Sequence, residues 1–130
     1  MPLSPIAGAV IADGGRVLLI RRNAPAGALL WTFPSGKVET GETAHQAAAH
    51  EATEEAGVIV APLVILGGRV HPDTGHRVVY VACRLLSGTA YPASPREVAE
   101  TRWVRLGKIP ELIPAGLHGP VQAYLGGALR

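Results

Sequence analysis

Apolar and polar positions change their period along this chain, and the changes predict its elements. Residues 6–12 and 16–21 are β-rich runs joined by Asp13-Gly14-Gly15, which predicts a hairpin. Residues 23–28, rich in Ala, Pro and Gly, read as a loop; it leads to a short strand at Leu30-Trp31-Thr32-Phe33, which Pro34-Ser35-Gly36 ends. Thr43 and Gln46 stand at capping-box spacing, the residues after them are full of Ala, and Gly57 supplies a stop. Residues 43–56 are therefore predicted as a helix. Apolar runs at 58–66, 67–71 and 77–86 predict strands, with Pro72-Asp73-Thr74-Gly75 as a loop between the last two. Residues 100–106 predict a final strand and 121–129 a short C-terminal helix. Strand runs outnumber helices and mix with them, which argues for an α/β fold with a mixed sheet covered by helices. With no repeat, low-complexity tract or linker, residues 1–130 read as a single domain.

Composition narrows the picture. At 130 residues, 48% of them apolar and 5% aromatic, the chain is of a size and composition to bury one core. The longest apolar stretch, 57–68, is too short to span a bilayer and Pro62 interrupts it. The N-terminus lacks the basic start and apolar centre of a signal peptide, and Cys83 is the lone cysteine, so a cytoplasmic setting is expected. The formal charge of +2 comes from scattered basic residues, so neither a long nucleic acid nor a membrane is an expected partner. Oligomeric state is open.

The acidic residues are the informative ones, because three of the ten crowd together as Glu51, Glu54 and Glu55. On a helix these side chains share one face, where like charges cost roughly 0.2–0.5 kcal/mol per pair. They also lie in the last turns, where the helix dipole disfavours negative charge by about 0.3–1 kcal/mol each. A bound cation would offset both costs, and Mg²⁺ combines carboxylates with waters and substrate phosphates. Ala47 and Ala48, one turn back, suggest space for such a ligand. A solvated helix end is the simpler account of a Glu-Glu pair, but it leaves the residues upstream unexplained. Gly36, Glu42, Glu51, Glu54, Glu55 and Gly57 stand in the order and spacing of a known signature. At background frequencies of about 6–7% each, six such matches arise by chance on the order of 10⁻⁷ per start position.

Here the chain resembles the Nudix hydrolase family, of the MutT-like kind. The family's box is Gly, five residues, Glu, seven residues, Arg-Glu, an aliphatic, any residue, Glu-Glu, any residue, Gly and an aliphatic. It appears as Gly36 to Glu42, then His50-Glu51-Ala52-Thr53-Glu54-Glu55-Ala56-Gly57-Val58. The lead-in Trp31-Thr-Phe-Pro34-Ser-Gly36 is similar too, as is Trp103-Val104-Arg105-Leu106 followed by Ile109-Pro110-Glu111-Leu112. The resemblance implies an α/β/α sandwich that hydrolyses a diphosphate linkage in a nucleotide with Mg²⁺ or Mn²⁺. By position it implies metal ligands at Glu51, Glu54 and Glu55, helped by the Gly36 carbonyl, with Glu42 supporting the site or joining a second ion. The general base varies in the family; Glu51 or Glu54 is favoured, with Glu97 and Glu100 as outside candidates. The last two precede Trp103 where some members place a fourth ligand, and they read equally well as charges on a strand edge. Ala52 is smaller than the usual aliphatic. His50 replaces the box arginine, so one or two donors stand where five are usual, and it is expected to orient Glu54.

The remaining signals are weaker. His50-Glu51-Ala52-Thr53-Glu54 misses the zinc-protease pattern by the second histidine. Gly14-Gly15 is a turn rather than a phosphate loop, since no helix follows it. His71 and His76 flank a loop, where solvated histidines are commoner than ones that touch a base or phosphate. His45 and His118 read as surface polarity, and Trp31 and Trp103 as core. The short chain leans toward a nucleoside triphosphate giving monophosphate and pyrophosphate. The alternatives are ADP-ribose or a nucleotide sugar, hinted at by Pro72, or a non-catalytic nucleotide-sensing module, which would be expected to lose box carboxylates. The base and sugar are not legible.

Overall fold

The computed structural model describes residues 4–26, 29–72 and 74–130. Among the described residues, seven strands form one mixed sheet: β1 (Ile6–Asp13), β2 (Arg16–Ala26), β3 (Leu29–Thr32), β4 (Ser35–Lys37), β5 (Ile59–Val70), β6 (Arg77–Ser87) and β7 (Val98–Val104). The described residues also form three helices: α1 (Ala44–Ala56), the short α2 (Ile109–Leu112) preceded by a 3₁₀ turn at Leu106–Lys108, and α3 (Gly119–Ala128).

The sheet's order follows from where β1 and β2 part. They pair only beside the predicted Gly14-Gly15 turn, at Ala12↔Val17 and Asp13↔Arg16, and then diverge. β2 goes on to pair antiparallel with β3 and β7. β1 runs parallel to β6, whose other edge is covered by antiparallel β5. The divergence leaves one edge of the N-terminal half of β1 unpaired, and β4 fills it antiparallel, with Ala7 opposite Gly36 and Gly8 opposite Ser35. The predicted break at Pro34-Ser35-Gly36 thus contains a strand. Its composition reads as a turn, but β1 offers it a ladder.

Two more expectations are corrected by pairing of the same kind. The loop expected at 23–28 is strand as far as Ala26, carried by β3 and β7; Gly27 and Ala28 lie outside the described residues. The separate runs at 58–66 and 67–71 are one strand, β5, which passes through Gly67-Gly68 with irregularities in its register. Pro62 is tolerated because β5 is an edge strand with no ladder on its outer side. At Gly67 a Cβ would stand 3.1 Å from His118 Nε2 and 3.4 Å from Pro120, so the missing side chain lets the start of α3 pack there.

Alternation along the strands builds two cores, one on each face. Ala7, Ala9, Ile11, Leu18, Ile20, Val81 and Cys83 face α1 and meet Ala47, Ala48, Ala52 and Ala56. Val10, Val17, Leu19, Val78 and Tyr80 face the other way, against Ile109, Ile113, Val121, Leu125 and Leu129. This is the expected α/β/α sandwich. Ala47 and Ala48 are buried, so they leave no room for a ligand; their small side chains let α1 lie close on the sheet. Burial pushes the Cys83 thiol up to about 11, which keeps it protonated. Among the described residues no helix is long and apolar enough to cross a membrane.

Candidate active site

The site is built where α1 ends against β4. The helix starts as predicted: Thr43 Oγ1 accepts from the Gln46 amide at 3.1 Å and Gln46 Oε1 from the Thr43 amide at 2.9 Å. It stops at Gly57, whose φ of 69° is a left-handed conformation that glycine adopts without a steric cost. Its last carbonyls are capped by a segment that sequence reasoning did not single out. The Tyr91 amide donates to Ala56 O at 3.0 Å, the Ala93 amide to Glu55 O at 3.1 Å, and Ser94 Oγ to Glu54 O at 2.7 Å. These donors satisfy the orphan carbonyls of the helix end and partly offset the dipole cost beside the glutamates. They also fix the start of the turn in which the Glu97 amide donates to Ser94 O at 2.9 Å, bringing Glu97 to the helix end.

Three carboxylates leave α1 in two directions. Glu55 is buried at 4% exposure and its Oε1 accepts from the Ser35 amide at 2.7 Å. Burial pushes its carboxyl up to about 8, against the Ser35 hydrogen bond and helped by the charges of Glu51 and Glu97. Glu51 lies across the Gly36 backbone, so close that a Cβ on Gly36 would stand 2.2 Å from the Glu51 carboxyl carbon. Burial first, and the neighbouring Glu54 second, raise Glu51 to about 7. Glu54 is exposed, and one ligand atom from each of His50, Glu51 and Glu54 fits within 4.8 Å of the others. Two carboxylate oxygens and an imidazole nitrogen so close together, with Glu51 biased toward protonation by burial and by Glu54, suit a divalent cation.

His50 does what its position allows. Nε2 lies 3.4 Å from Glu54 Oε1 and Nδ1 3.6 Å from Glu42 Oε2, so one imidazole spans two carboxylates. Glu42 is held in turn by the Glu39 amide, which donates to its Oε1 at 3.0 Å. Of the two outside candidates, Glu97 reaches the site and Glu100 does not. Glu100 pairs with Arg102 at 2.7 Å and Arg21 at 3.3 Å, and the Arg102 hydrogen bond holds its carboxyl below the usual range.

A cavity of about 380 Å³ opens beside Glu55 and Gly36. Its floor is Ile6, Gly8, Phe33, Val78 and Tyr80, and Arg22, Lys37, Arg96 and Glu97 stand around it. None of the three cations enters an ion pair among the described residues. His71, Thr74 and His76 close the far side, so both histidines expected to be solvated line the cavity instead. Only the parallel pairing of β1 with β6 brings them there. Pro72, the hint toward ADP-ribose, is exposed and lines no part of it; Asp73 lies outside the described residues. Trp31 is core, with the Arg102 guanidinium 4.9 Å above its ring, and Trp103 packs at the edge of the α1-side core. His118 stacks on Tyr80 at 5.8 Å rather than standing free on the surface.

Residues 2–124 match the NUDIX domain family, and the chain belongs to it. It is 34% identical over 103 residues to the oxidized purine nucleoside triphosphate hydrolase of Danio rerio, an alignment covering 78% of this chain and 65% of the relative. A Mycobacterium tuberculosis protein named MutT4 is 35% identical over 108 residues, 75% of this chain and 42% of that protein. The chain thus spans less than two thirds of either relative. Among solved structures, a NUDIX hydrolase from Nitrosomonas europaea superposes with a TM-score of 0.76 at 27% identity, over 97% of this chain and 73% of that one. The MutT protein of Methanosarcina mazei Go1 does so with a TM-score of 0.70 at 26% identity, over 97% and 92%.

Proposed function

We propose that this chain hydrolyses a nucleoside triphosphate to the monophosphate and pyrophosphate, with Mg²⁺ as cofactor and Mn²⁺ as a substitute, in a cytoplasmic setting. One observation carries the reading: Glu55 lines a cavity of about 380 Å³ and Glu51 lies against Gly36 of its lining, while Arg22, Lys37 and Arg96 around the cavity enter no ion pair among the described residues. Glu51, Glu54 and Glu55, with the Gly36 carbonyl, are the residues that would hold the cation. The cation would neutralise phosphate charge and acidify a water at neutral pH. Arg22, Lys37 and Arg96 draw the phosphates toward the carboxylates and limit their orientation. Glu51 or Glu54 accepts the proton of the attacking water, and the near-neutral carboxyl of Glu51 suits that work. Glu97 is the alternative acceptor from outside the helix. The similarity to the oxidized purine nucleoside triphosphate hydrolase of Danio rerio supports a triphosphate substrate. Two observations weigh against the alternatives: Pro72, the hint toward ADP-ribose, does not line the cavity, and the chain keeps every box carboxylate, which a non-catalytic module would be expected to lose.

The purified protein with Mg²⁺ is expected to convert nucleoside triphosphates to monophosphate and pyrophosphate, not to diphosphate and inorganic phosphate. Chromatographic product analysis across triphosphates, oxidised triphosphates, dinucleoside polyphosphates and ADP-ribose tests this. Cleavage of ADP-ribose with no action on any triphosphate would overturn it.

His50 carries a second expectation. Because its ring contacts both Glu42 and Glu54, His50→Ala should lower kcat by about tenfold, matching ~1.4 kcal/mol of transition-state support. His50→Arg should keep substantial activity, since a guanidinium offers more donors to the same carboxylates. A folded but inactive Arg variant beside a fully active Ala variant would show that His50 only fills space.

A further inference from the structure

Two buried side-chain nitrogens among the described residues have no hydrogen-bond partner: Arg22 Nε and His76 Nδ1. Both residues line the same cavity. An unmade hydrogen bond in the interior is costly, and a site built to bind polar groups is one place where proteins tolerate it. The two nitrogens stand in different surroundings, and the strand registers give their order.

On the cavity side of the sheet, Ser35 of β4 is opposite Gly8 of β1, and Gly8 is opposite Tyr80 of β6. Lys37, Ile6 and Val78 form the next row in the same way. Across these rows the lining changes from charged to apolar. Glu55, held by Ser35, stands at the β4 side with Lys37, and Arg22 also lines the cavity, its charge opposing the burial that raises the Glu55 carboxyl. The β6 side is Val78 and Tyr80, with the Phe33 ring edge-on to Tyr80 at 6.1 Å. His76 sits beyond it, immediately before β6. Gly8, between the two sides, leaves the floor flat: a Cβ there would already be 3.4 Å from the Tyr80 ring. Two strand spacings, roughly 10 Å, separate the carboxylate side from the His76 side, enough to lay a nucleoside between them.

We infer that His76 is a specificity-determining residue, contacting the polar edge of the nucleobase while Arg22 faces the phosphates at the opposite end of the cavity. The inference rests on the nucleotide reading above and adds the direction in which the substrate lies and the side chain that discriminates between bases. Its backbone is tied down, with the His71 amide donating to His76 O at 2.7 Å and the Gly75 amide to His71 O at 2.9 Å. The ring therefore acts from a fixed position. A half-turn about its Cβ–Cγ bond exchanges Nδ1 for a carbon with almost no change of shape, so a nitrogen can be offered to a base edge without rebuilding the loop. Imidazole can donate or accept, and the four bases differ in which they offer.

The test is steady-state kinetics with Mg²⁺ on the four nucleoside triphosphates for the parent, His76→Phe and His76→Asn. Phenylalanine keeps a ring and removes both nitrogens; asparagine keeps a polar group near the place of Nδ1. His76→Phe is expected to raise KM for the preferred base by about tenfold, the size of one lost hydrogen bond, with a smaller change in kcat. It should also narrow the spread of kcat/KM between bases, and His76→Asn should recover part of that spread. A purely structural role would move all four bases alike. If the parent cleaves no triphosphate, the nucleoside triphosphate reading fails and takes this inference with it. If the parent discriminates between bases and His76→Phe keeps the same ranking and KM values, the inference alone fails.

Discussion

Glu51→Gln is expected to lower kcat by roughly 10²–10⁴-fold, the range for losing a general base, while making the metal-free protein more stable at alkaline pH. The stability gain follows from the direction of two pKa shifts. Glu51 is raised from an ordinary 4.5 to about 7, chiefly by burial and then by Glu54, and Glu55 to about 8, chiefly by burial. A folded value above the unfolded one means that folding favours the protonated acid. The resulting stability is fully present below about 4.5 and is lost as pH rises through about 7 and then about 8. Without metal, the parent should therefore melt at progressively lower temperature across that window, and Glu51→Gln or Glu55→Gln should flatten the decline. A cation binds the ionised forms, so Mg²⁺ should stabilise the parent more at the alkaline end and release protons as it binds. Melting curves of parent and variants across this pH range, with and without Mg²⁺, check the sign. Two results would sink the site: a parent whose stability ignores both pH and Mg²⁺ here, or a triple Gln variant at Glu51, Glu54 and Glu55 that turns over like the parent.

Gly36→Ala is the second large effect, and it needs no change of charge. The added methyl would lie 2.2 Å from the Glu51 carboxyl carbon and 2.3 Å from its Oε1. Because those atoms are the far end of a flexible side chain, the fold persists and the carboxylate moves away. A displacement of about 1 Å in a positioned group costs on the order of 10²-fold in rate. The expected result is a kcat reduced by that order and a weakened thermal shift with Mg²⁺, at a metal-free melting temperature close to the parent's. Full activity in this variant would mean that Glu51 has no need of its place against Gly36.

How far the site was legible depended on how local its causes are. Helix α1 could be read to within one residue at its start, where Thr43 is the cap, and to the residue at its end, because a Thr43–Gln46 box and a left-handed Gly57 are interactions between near neighbours in sequence. The Gly14-Gly15 hairpin was legible for the same reason. The closeness of Glu51 and Glu54 was visible because helical spacing puts them together, and the match of six box positions pointed to the Nudix family; that Glu55 turns inward to Ser35 was not visible. β4 was not legible, since nothing in Ser35-Gly36-Lys37 shows that β1 and β2 will diverge and leave an edge to fill. Nor was the role of Ala47 and Ala48, which read as space for a ligand until the sheet beneath them was known.

The sequence by itself determined the family, the helix and the carboxylates on it, because periodicity, caps and motif spacing act within a few turns of chain. The tertiary structure alone decided that Glu97 joins those carboxylates while Glu100 is taken by Arg21 and Arg102. It alone decided that Tyr91, Ala93 and Ser94 cap the helix, and that His71 and His76 close a cavity opening beside Glu55. These residues lie tens of positions from α1, and they reach the site only because β6 runs parallel to β1 and β7 pairs with β2. Strand pairing of that range is chosen by the packing of the whole sheet between its two helical layers, which no local pattern encodes.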